Sequence, residues 1–239
     1  MRAASFERMV LAQTGMELRL TLRRGESLLL TLAIPLGLLA FFGTVDVVDT
    51  SLAALVPGIL ALAVMSTAMT GLAIATGFER QYGVLKRLGA SPLPRSGLLL
   101  AKTLSVLAVE AVQAVLICGL GLALGWRADA GLRAAILVTG FVALGTAAFA
   151  GLGLLMAGRL RAEATLAAAN GLYLALLLVS GMVLPSPFAG VARLLPSGAL
   201  AEGLRSAFAN SGPVVRPAFV LLVWAVAALA AAARTFRWE

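Results

Sequence analysis

Apolar residues fall into six long blocks separated by short polar stretches, at 27–43, 52–77, 98–125, 132–158, 164–184 and 214–233. Each is near the roughly 20 residues a helix needs to cross the hydrocarbon of a bilayer. The first block carries Pro35 within it. Residues 1–26 read differently. On a helical wheel Phe6, Met9, Val10, Met16 and Leu20 gather on one side and Arg8, Arg19, Arg23 and Glu26 on the other, with Glu17 and Arg24 interrupting the apolar side. That pattern predicts an amphipathic helix along the membrane surface, its arginines reaching toward headgroups. The whole predicts an all-α polytopic membrane protein, a single transmembrane domain over 1–239.

Composition agrees with this reading. Of 239 residues, 61% are hydrophobic and 13% charged, against about 45–50% and about 25% in soluble domains. The net charge of +8 does not point to nucleic acid, because the basic residues lie between apolar blocks and aromatics are only 6% of the chain,. Basic residues flanking spans belong on the cytoplasmic side. With both termini inside, that side collects Arg80, Lys86, Arg87, Arg95, Arg159, Arg161 and Arg234, whereas the first outer loop offers only Asp46 and Asp49. There is no histidine and one cysteine, Cys118, so neither a disulfide nor a protein-built metal site is expected,. The polar stretch ahead of the first block argues against a cleaved signal. Gly121 with Gly125, and Ala147 with Gly151, have the spacing that brings helix backbones together, within one subunit in preference to a dimer seam,.

The loop between the second and third blocks is the most informative segment. It reads FERQYGVLKRLGASPLPRSGLLLAK from Phe78 to Lys102, longer than a connection requires. Charged Glu79, Arg80, Lys86 and Arg87 interleave with Tyr82, Val84, Leu85 and Leu88, and Gly89 and the Ser91-Pro92-Leu93-Pro94 run end any helix,. A short helix that docks a partner and a solvated basic loop both fit this pattern.

The order Glu79-Arg80, Gly83-Val84-Leu85, Arg87-Leu88, Ser91-Pro92-Leu93-Pro94-Arg95 and Lys102 resembles ABC-transporter permeases of the type-2 exporter class, the daunorubicin-resistance-type membrane subunits most of all. Gln113, Pro185, Pro196 and Arg205 also fit that pattern. The resemblance implies that 78–95 contains a coupling helix, with Glu79, Arg80, Gly83, Leu85, Arg87, Leu88 and Pro92 set against an ABC ATPase subunit. It implies a connecting helix at the N-terminus, an external helical hairpin between spans five and six, and a second permease subunit, identical or paralogous. ATP and magnesium would then sit on the partner ATPase, and this chain would bind no cofactor.

Polar groups within spans are costly and face protein or water. Glu110 and Gln113 lie three residues apart on one helix and Asn170 lies in the fifth span, all candidates for lining a pathway,. For Glu110, a protonated carboxyl packed inside the bundle is an equal alternative. Between Leu184 and Pro213, Leu200, Leu204 and Phe208 mark a surface-lying or partly re-entrant helix. Gly97 to Thr103 ends in Lys-Thr like a phosphate-binding loop, but Ala101 and Ser96 stand where glycines are needed,. No catalytic residues are expected. An exporter subunit is the leading reading. A membrane scaffold or ion-coupled carrier follows, and an intramembrane enzyme, which would need more than one buried acid, comes last.

Overall fold

The computed structural model describes residues 5–23, 25–45, 51–128, 131–183 and 187–235; Arg24, Asp46, Asp49, Leu184 and Pro185, named above, lie outside the described residues. Among the described residues all regular structure is helical. The N-terminal helix α1 spans Phe6–Arg23 and is followed by α2, Gly25–Thr44. The second span is continuous, with α3 (Leu52–Met65) passing through a π-helical segment, Ser66–Gly71, into α4 (Leu72–Gln81). The short α5 covers Val84–Gly89. Long helices follow at α6 (Arg95–Ala123), α7 (Leu132–Arg159) and α8 (Ala162–Ser180). Then come α9 (Ala189–Ala192), α10 (Pro196–Phe208) and α11 (Val215–Thr235).

Among the described residues five helices are long and apolar enough to cross a membrane, namely Leu52–Gln81, α6, α7, α8 and α11, and α2 adds a shorter apolar stretch, Thr31–Thr44. The predicted blocks are therefore helices, with shifted ends. The fifth stops at Ser180, before the expected 184, because Gly181 takes a left-handed conformation (φ 63°) that closes the helix,. The second runs past 77 to Gln81, carrying its polar end beyond the apolar block.

The second span is the centre of the molecule. In its most apolar window 72% of residues are buried, against 22–44% in the other four spans. It packs against α2, α6, α7, α8 and α10. Backbones approach closely where side chains vanish. A Cβ on Gly153 would lie 2.7 Å from the Met69 carbonyl oxygen, and one on Gly151 2.7 Å from the Ala228 Cβ. The small-residue spacing around Gly151 thus serves contact between α7 and α11 of one chain. Large apolar side chains on the outside, including Ile34, Val112, Val115, Ile136, Leu178, Phe219 and Val226, form the surface that lipid would cover,.

Two elements sit differently from the pattern read above. Helix α1 turns Val10, Gln13 and Glu17 inward and leaves Phe6 and Met16 exposed beside Arg8 and Arg19. Glu17, an interruption of the apolar side on the wheel, is an inward anchor. Helix α10 is embedded more than surface-lying: Leu200 and Leu204 are fully buried, and so are Ser197, Ala199, Ala201 and Ala207 on its other faces. Small residues all round let α3, α7 and α11 close on it from several sides.

Candidate functional site

The 78–95 segment forms a compact knuckle between the second and third spans. Its conformation begins at Gly83, whose left-handed backbone (φ 71°, ψ 12°) reverses the chain after α4 so that α5 can start,. Leu85 is fully buried and Leu93 nearly so, pinning the knuckle to the helices beneath. Ser91 closes the turn by donating from Oγ to the Leu88 carbonyl at 2.6 Å, and Pro94 caps α6 with extended geometry. Phe78 and Tyr82 stack, ring centroids 6.2 Å apart.

The predicted coupling residues divide between two faces. Arg87 and Pro92 are exposed, together with Tyr82, Lys86 and Arg95, and Leu88 is half-buried. Gly83 makes the turn. The others point into the protein: Leu85 anchors the knuckle, Arg80 donates to the Leu160 carbonyl at the end of α7, and Glu79 is buried. Nearby, Gln81 Nε2 donates to Glu163 Oε1 at 2.9 Å, joining α4 to the first turn of α8.

Lys102 meets two carboxylates, Glu79 and Glu17, that the sequence pattern did not bring together. Lys102 Nζ donates to Glu79 Oε2 at 2.6 Å and to Glu17 Oε2 at 2.9 Å. Gln13 Nε2 donates to the other Glu17 oxygen at 2.8 Å. Lys102 is 1% exposed, so its ammonium is held by these carboxylates in place of water,. A cavity of about 550 Å³ lies alongside, walled by Leu20 and Thr21 of α1, Ile74, Ala75 and Phe78 of α4, and Val106 and Val109 of α6. The visible signals were an acid on the apolar side of α1 and a lysine one turn inside an apolar block.

The polar residues within the spans are brought to separate places. Gln113 donates to the Thr31 carbonyl and to Thr67 Oγ1, both at 3.1 Å, and so joins α2, the π segment and α6. Glu110 faces α7 and contacts the Thr146 hydroxyl, which also bonds the Val142 carbonyl of its own helix. Neither lines the cavity beside Lys102 or a second cavity of about 250 Å³. Asn170 does line the second one, with Thr31, Pro35, Ser66, Thr70 and Tyr173, and is exposed on α8.

A bundle of apolar helices around a buried second span, with a structured knuckle at one end of it, is an arrangement to compare with known membrane families. The profile of one family, described as ABC-2 type transporter, matches residues 10–208. The chain belongs to that family. No individual curated protein matches it. The matched range takes in α1 from Val10, the knuckle, and everything up to the end of α10. As an ABC-2 transporter membrane domain, the chain is the permease component and not itself the ATPase.

Proposed function

We propose that this permease is one half of an ATP-driven exporter. Two copies, or this chain with a paralogue, enclose the pathway in the cell membrane with both termini cytoplasmic. Each half docks an ABC ATPase, which holds the ATP and magnesium, through the 78–95 knuckle. The observation that carries the reading is the exposed face of Tyr82, Lys86, Arg87, Pro92 and Arg95 mounted on the buried anchors Leu85 and Leu93. A rigid base beneath an aromatic and basic surface suits a protein partner, because it transmits displacement instead of absorbing it.

Co-purification with an ABC ATPase subunit from the same cell tests this directly. The wild type should retain the ATPase and stimulate its turnover. Arg87→Glu, a change of an exposed side chain, should lower that stimulation about tenfold while leaving membrane insertion intact. Full stimulation by the variant would remove coupling from this loop, and failure of the wild type to hold any nucleotide-binding chain would remove the exporter reading.

A further inference from the structure

The Lys102 cluster joins α6 both to α1 and to α4, two helices that share little contact with each other. Lys102 lies near the start of α6, just after the knuckle; Glu79 lies near the end of α4, where the knuckle begins. The ion pair therefore spans both roots of the knuckle. Glu17 brings in α1, which packs along α6 and against α2. Between α1 and α4 lies the cavity of about 550 Å³, so apolar packing does not fill that gap. The bonds through Lys102 bridge it. Charge-assisted hydrogen bonds of 2.6 and 2.9 Å impose direction as well as attraction,.

We propose that Lys102 is a positioning residue that ties α1 and both roots of the knuckle into one rigid body, so that displacement of α5 carries α1 with it. A buried ion pair is a poor means of adding stability, since apolar residues of the same volume often serve as well. What it supplies here is a fixed separation across a space that packing leaves open. The proposal takes only the source of the displacement from the exporter reading; the tie itself is a property of the chain.

The test uses the full chain in nanodiscs of phosphatidylethanolamine and phosphatidylglycerol, in a Cys118→Ser background. Spin labels replace Arg19 on α1 and Ala90 at the end of α5, both exposed and neither assigned to the docking face. The comparison is with a triple variant, Glu17→Gln, Lys102→Met and Glu79→Gln, which keeps the volumes and removes the charges. The wild-type distance distribution should be narrow, that of the triple variant about twofold broader, and that of Lys102→Arg, which restores the cation, narrow again. With the ATPase bound, the triple variant should also lose about tenfold of the stimulation. If the triple variant fails to fold, Glu17→Gln alone should broaden the same distribution. A variant as narrow as wild type overturns the proposal. ATP binding should also move a label at Ala90 relative to one at Arg127, in the loop after α6, in the complex with the ATPase. Absence of that movement counts against the exporter reading and leaves the tie to be judged by the width between positions 19 and 90.

Discussion

Arg205 shows how one side chain joins several helices. From α10 its Nη2 donates to the carbonyls of Gly181 and Met182 at 2.9 and 2.7 Å, just past the end of α8. Its Nε reaches the Ala54 carbonyl at the start of α3 at 3.4 Å. The Gly181 and Met182 carbonyls, past the last turn of α8, have no partner within that helix,. The neighbouring backbone is equally tight, because a Cβ on Gly58 would fall 1.9 Å from the Met182 oxygen. Arg205→Met leaves these carbonyls without a donor and should cost about 2–3 kcal/mol, read as a lower melting temperature in detergent. Arg205→Lys should recover only part of that, since a single ammonium cannot fork to several carbonyls. Unchanged melting of Arg205→Met would show the contacts to be incidental.

At the scale of elements, spans hold together through absent side chains. Gly151 lets the α11 backbone come within reach of α7, where a Cβ would also stand 2.8 Å from the Leu229 nitrogen. Gly151→Val should separate the two helices at a cost of about 1–3 kcal/mol, detected as faster proteolysis of the detergent-solubilised protein. Gly140→Ala on the same helix meets nothing within 4 Å and should be silent. Equal protease resistance of the two variants would refute this account of the contact. The spacing of Ala147 and Gly151 was visible in the sequence because a helix repeats its face locally. The π segment was not. Ser66 to Gly71 reads as ordinary helix, and its geometry accompanies contacts with distant residues, Gln113 on α6 and Gly153 on α7,.

For the whole molecule, the run of apolar blocks was legible because a bilayer sets a length and a polarity that any one block must satisfy alone. The candidate site was legible only in outline. Local cues marked the knuckle between Gly83 and Pro94, but which of its side chains face outward depended on anchors elsewhere. Glu17 and Lys102 are 85 residues apart, and no periodicity joins them. Orientation in the membrane gives a prediction at this scale. In the Cys118→Ser background, Arg87→Cys should react with an impermeant maleimide only from the cytoplasmic side, and Arg127→Cys only from outside. Labelling of both from one side would reject an intervening span.

The enclosure of the second span has a consequence for biosynthesis. This helix leaves the ribosome before α6, α7, α8 and α10, the neighbours that wrap it. Until they arrive it must stand in lipid, and Thr67 must wait for Gln113. The nascent chain therefore passes through a stage in which its eventual centre is its periphery. Assembly then proceeds by late helices closing over an early one, so a chain cut short after α6 would display to the quality-control machinery of the membrane the surface that the finished protein conceals.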